Sequence, residues 1–141
     1  MGVTDGSEAG SGQIGEFLLH QILAADAIPL TSEQILTVAT IDLPAGDWDV
    51  RGQVDYAADP STIITYVKQG VSRFDAQFDA QDTYSNIYVR SSVETGVDIG
   101  ISLRPTRLNI ATPTTVYLVC MALFVLSTMS AYGYIGARRA R

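Results

Sequence analysis

The chain has 141 residues, a net charge of −6 and an isoelectric point near 4.5. That length supports one domain with its own core, and the acidic balance excludes general nucleic-acid binding, which needs a basic surface. The single cysteine, Cys120, rules out a disulfide framework and sits in an apolar run, where it reads as a small buried hydrophobe and not a reactive thiol.

Residues 1–15, "MGVTDGSEAGSGQIG", are rich in Gly, Ser and acid and too poor in apolar groups to fold alone, so they read as a flexible leader or docking arm. They lack the basic start and apolar stretch of a secretory signal, which places the expected folded body in the cytosol. Residues 16–141 read as one sandwich domain. "EFLLHQILA", "AIPLTSEQ" and "ILTVATIDL" are short β-type runs, the last with Ile35, Thr37, Ala39 and Ile41 on one face. After a tight turn at "PAG", "DWDVRGQVDYA" alternates cleanly. Trp48, Val50, Gly52, Val54 and Tyr56 face one way, and Asp47, Asp49, Arg51, Gln53 and Asp55 the other. Beyond "ADPS" come "TIITYVKQGVS", a loop "RFDAQFDAQDTY", "SNIYVRSSV", a turn at "ETG", and "VDIGISLRPTRLNIAT" broken by Pro105.

The end of the chain, "VYLVCMALFVLSTMSAYGYIGARRAR", carries no charge before Arg138 and is long enough to pose the question of a membrane anchor. The polar and small residues Ser127, Thr128, Ser130, Gly133 and Gly136 interrupt it, and its β-branched and aromatic content suits strands. An anchor would also carry Arg138, Arg139 and Arg141 across the membrane, against the positive-inside tendency. The reading is therefore a buried hairpin, residues 115–125 and 130–139, turning at "LSTM". In its second strand Ala131, Gly133, Ile135 and Ala137 form a small face, and Tyr132, Tyr134, Gly136 and Arg138 a large one. About eight strands with turns between them and no convincing amphipathic helix give an all-β antiparallel sandwich or jelly roll.

Little chemistry appears. His20 lies in "LLHQIL" without a Cys or Asp beside it and reads as a strand residue, with no support for a metal or catalytic role. Asp47 and Asp49 have the spacing of two carboxylates on one strand face; a hard cation could use them, but alternation already accounts for them as a solvated face. No phosphate-binding loop, zinc pattern or nucleophile elbow is present. The expectation is a protein that is not an enzyme, with no cofactor, metal or membrane insertion. Eight of the nine basic residues are Arg, the exception being Lys68, a bias that leans toward assembly.

"GQIGEFLLHQI", "LTSEQILTVATIDLPAGDWDVRGQVDY" and "TTVYLVCMALFVLSTMSAYGYIGARRAR" resemble a domain of bacteriophage and prophage virion proteins of the tail-fibre, head-fibre and decoration type. The likeness spans residues 13–141 and is specific at the two ends. It implies a tumour-necrosis-factor-like jelly roll that forms a homotrimer on the virion surface after assembly in the host cytoplasm. Tyr132, Tyr134 and Arg138 would lie at the subunit interface, and residues 1–15 would contact capsid or tail proteins. Two functions fit this resemblance. One is a capsid decoration or head-fibre subunit. The other is a tail-fibre tip that binds a host surface glycan through the aromatic and acidic loop carrying Phe74, Asp75, Phe78, Asp79 and Tyr84.

Overall fold

The computed structural model describes residues 7–79, the backbone of 84–88, and residues 99–141. The turn expected at "ETG" lies outside them. Among the described residues, ten strands form two antiparallel sheets: β1 Phe17–Ile22, β2 Ile28–Pro29, β3 Leu36–Leu43, β4 Gly46–Ala58, β5 Ile63–Ser72, β6 Tyr84–Tyr88, β7 Ile99–Ser102, β8 Thr106–Ile110, β9 Thr114–Val125 and β10 Met129–Arg139. The first sheet runs β1-β10-β4-β7, with β2 continuing β1 along β10 and β8 lying beside β4 next to β7. The second runs β3-β9-β5-β6. Ten strands therefore fill eight positions. A short 3-10 turn at Ala24–Asp26 splits one edge, and the break ending at Pro105, which lacks an amide donor, splits the other.

The clean alternation of β4 is kept. Trp48, Val50, Val54 and Tyr56 are buried and meet the second sheet's Leu118, Cys120, Ala122 and Phe124 in one core. β10 presents the small face expected of it: Ala131, Ile135 and Ala137 are fully enclosed. The sheets approach closely where side chains are missing. A Cβ at Gly52 would lie 3.0 Å from Leu118 Cδ1 of the opposite sheet. At Gly133, with φ of +143°, a Cβ would run into the Gln53 carbonyl of the neighbouring strand, so both its conformation and its space call for glycine.

Two expectations are corrected. β9 and β10 are not a hairpin: β9 pairs with β3 and β5, whereas β10 pairs with β1, β2 and β4. Residues 126–128 carry the chain from one sheet to the other, with Leu126 at φ of +78° making the corner. The large inner face of β9 packs across the core from the small inner face of β10, which suits stacking and not edge pairing. In β3 the register shifts between Thr37 and Ala39. This bulge buries Val38 and Ala39 in succession and leaves Thr37 on the outer face, apart from Ala39 and Ile41. Among the described residues no helix is long and apolar enough to cross a membrane.

Candidate functional site

The outer face of the first sheet collects the side chains that the core does not take. Register places Phe17 opposite Arg138, Leu19 opposite Gly136 and Gln21 opposite Tyr134. On the other side of β10, Arg138 faces Asp49, Gly136 faces Arg51, Tyr134 faces Gln53 and Tyr132 faces Asp55. The three predicted interface residues thus share one surface, Tyr132 and Tyr134 half-buried and Arg138 exposed. Phe17 and Leu19 on β1 are 58% and 54% exposed, with Leu23 at 58% and Ile14 at 46% beside the strand. A groove of about 530 Å³ opens where residues 7–15 pass this face, lined by Glu8, Ile14, Phe17, Asp49, Arg51 and Arg138 among others.

A buried ion pair fastens that segment. Arg139 Nε donates to Glu16 Oε2 at 2.9 Å, and both side chains are under one-tenth exposed. Arg139 Nη1 donates to the Ala45 carbonyl at 3.0 Å, and its guanidinium lies 4.3 Å from the centre of the Trp48 ring. Backbone bonds from Gly15 N to Arg139 O and from Arg139 N to Glu16 O, both 2.9 Å, continue the ladder. Burial pushes the Glu16 carboxyl up, but the Gly12 amide and the Arg139 guanidinium outweigh it and hold it below its ordinary value.

Asp47 and Asp49 do not form a free solvated face. Asp47 is buried and accepts a two-pronged contact from Arg107, at 2.7 and 2.6 Å, and another from Arg141 at 2.9 Å. The Arg107 bonds, against the opposing effect of burial, bring its carboxyl down to about 2. Arg107 also reaches Asp49 at 4.0 Å. These carboxylates are committed to guanidinium groups, and among the described residues no cluster of three or more His, Cys, Asp or Glu suits a metal.

The predicted glycan loop is only partly available. Thr37 Oγ1 donates to Asp75 at 2.6 Å, and Arg73 binds Asp79 at 2.8 Å. The Lys68 ammonium sits 4.2 Å over the Phe78 ring. These contacts draw the loop across the outer face of the second sheet near Val119, which is fully buried yet outside the core. Phe74 stays 51% exposed. Tyr84 is not in the loop but opens β6. His20 Nδ1 donates to the Thr40 carbonyl at 2.8 Å, joining the edges of the two sheets as a strand residue. Cys120 is enclosed, and burial raises its thiol to about 12. Nearby, Tyr56 donates to Gln69 Oε1 at 3.0 Å.

Sequence reading found the tyrosine face and missed the β1 apolar residues and the Glu16–Arg139 pair. The signal for the pair was the parity of β10, which carries Arg139 inward after Ile135 and Ala137.

No family model matches this chain, and no curated protein matches it in sequence. Solved structures do match. The infectious bursal disease virus VP2 subviral particle is similar over 99% of this chain, at 14% identity and a TM-score of 0.54. The Gx strain of the same virus matches over 99% at 13% identity and 0.51, and a mutant VP2 protein in derived T=1 particles over 99% at 14% and 0.50. The chain spans 36–37% of the length of those chains. The likeness establishes the fold, an all-β jelly-roll sandwich shared with those virus-particle structures.

Proposed function

We propose that this chain is a structural subunit of a virion that works by self-association and not by catalysis. One observation carries the reading: a jelly roll whose fold matches proteins of viral particles bears an apolar and aromatic surface outside its core. Within that reading, the two terminal motifs support a bacteriophage virion, and the protein is a capsid decoration or head-fibre homotrimer on the virion surface. Residues 1–15 dock it on the particle, because they carry few apolar groups and, among the described residues of that segment, 7, 8 and 10–14 are exposed.

The alternative is a tail-fibre tip that binds a host glycan through Phe74 and its neighbours. The exposed Phe74 ring favours it, since sugar faces stack on aromatic rings, but the Asp75 and Asp79 carboxylates are held within the protein.

A variant starting at Gln13 tests the assignment. It is expected to fold and assemble but to be absent from purified particles, and particles without the protein are expected to infect normally. Uptake of the truncated form equal to that of the full chain would move docking to the sandwich itself. Loss of adsorption to host cells would transfer the assignment to the receptor-binding alternative.

A further inference from the structure

We infer that the outer face of the first sheet, with the exposed apolar residues of β1 joined to the tyrosines of β10, is the contact with a second copy of this chain. The inference rests on the self-associating reading above and gives it a surface. Half of the exposed large apolar side chains among the described residues, Ile14, Phe17, Leu19 and Leu23, fall within a single stretch of ten positions. Phe17 and Leu19 project from β1 on the same side as Tyr134 and Tyr132 of β10, so apolar residues and tyrosines form one continuous field. Contiguous exposed apolar surface of this kind marks an interaction site, whereas scattered single residues need no explanation.

Two properties of the face fit a second copy as its occupant. The first is charge. The charged residues on the outer side of its strands are Asp47, which is covered by Arg107 and Arg141, with Asp49 and Asp55, against Arg51, Arg107 and Arg138. Three carboxylates balance three guanidinium groups, so the net charge of −6 resides elsewhere in the chain. Two copies can bring these faces together without the repulsion their total charge would impose, and each face offers both signs for pairing. The second is area. β10 has 11 residues, about 37 Å at a rise of ~3.4 Å, and four strand positions at ~4.8 Å give a width of about 19 Å. The flat projection is roughly 700 Å², close to the ~800 Å² that each partner contributes to a stable interface. Aromatic and Arg side chains, the types enriched at interface cores, sit near its middle.

Sedimentation at micromolar concentration tests this. The full chain is expected to sediment as an oligomer, and Phe17→Ser/Leu19→Ser as a monomer with a cooperative melt, its dissociation constant raised by about a hundredfold or more. Because the Phe17 ring fills the space that a Cβ at Gly136 would take, Leu19→Arg/Leu23→Ser provides a second disruption confined to exposed side chains and is expected to give the same result. Leu126→Ser, at the far end of the sandwich, is expected to leave assembly unchanged. If the full chain is oligomeric and both disrupted variants keep its mass, the surface assignment is wrong while self-association stands. If the full chain is itself a monomer, self-association fails and this inference with it. Dissociation by Leu126→Ser alone would move the contact to the opposite end.

Discussion

Replacing Glu16 by Gln isolates the energetics of the buried ion pair that ties the N-terminal segment to β10. In the native chain the Arg139 guanidinium, 8% exposed, has the Glu16 carboxylate at 2.9 Å, the Ala45 carbonyl at 3.0 Å and the Trp48 ring below it. Removing the carboxylate leaves a nearly enclosed cation without its counter-charge. Breaking one side of a buried pair costs about 3–5 kcal/mol. The lower figure applies here, because Gly12 and Gln13 beside the pair are exposed and admit water. A loss of about 3 kcal/mol lowers the melting temperature of a chain this size by roughly 10 °C. Arg139→Met is expected to cost a similar amount, and the double variant less than the sum of the two, because it strands neither charge. The pH dependence carries a sign. The Glu16 carboxyl is depressed in the folded protein, so the pair contributes fully above the unfolded value of about 4.3 and is lost as pH falls through the folded one. Glu16→Gln and the native protein should differ most near neutrality and converge in acid. Urea unfolding of the three variants decides it: single substitutions costing under about 0.5 kcal/mol, or strictly additive costs, would refute the argument.

Gly133→Ala places a methyl group against the Gln53 carbonyl at a residue with φ of +143°. It is expected to cost at least about 3 kcal/mol, seen as loss of soluble protein and of the β-type circular-dichroism spectrum. Asp47, held down to about 2, contributes stability that is present above its unfolded value and disappears as pH falls toward 2. Asp47→Asn should therefore flatten the melting temperature of the protein between pH 4 and pH 2, and an unchanged slope would contradict the Arg107 and Arg141 pairing. Leu126→Gly removes a side chain that is 77% exposed from a left-handed corner and should raise stability by about 0.5–1 kcal/mol in the same unfolding assay.

The fold was legible where the two faces of a strand differ in kind. β4 sets Trp48, Val50, Val54 and Tyr56 against Asp47, Asp49, Arg51 and Asp55, and β10 sets small residues against tyrosines, so period-two alternation identified both strands and their inner faces. What alternation does not specify is the partner. Closeness in sequence pointed to a hairpin for β9 and β10, yet the three residues between them turn the chain across the core. The sizes of the faces held the missing information. A strand whose inner side is Ala131, Gly133 and Ala137 leaves room that Leu118 and Phe124 can fill from the other sheet, and edge-to-edge pairing would have left that room empty. The bulge in β3 was hidden for a related reason: Thr37, Val38, Ala39 and Thr40 are all compatible with either side of a sheet, so nothing local marks the extra residue.

The interaction surface was less legible because exposure depends on position in the sheet and not on the strand's own composition. In "EFLLHQ" the consecutive Phe17, Leu18 and Leu19 do not alternate in polarity, and the sequence gives no basis for choosing the inward residue. β10 decides it: pairing Leu18 with Ala137 turns Leu18 toward the core and, by the pleat, sends Phe17 and Leu19 outward. The same pleat separates the two terminal arginines. Arg138 lies with Tyr132 and Tyr134 on the open face, and Arg139 turns inward with Ile135 and Ala137, where a cation is tolerated only with a carboxylate beside it. Glu16, the residue that answers that demand, immediately precedes β1. The contact that closes the end of the sandwich therefore also fixes the strand that presents the apolar face. A variant that loosens the Glu16–Arg139 pair should consequently weaken self-association as well as folding, whereas Leu19→Arg/Leu23→Ser should weaken association alone.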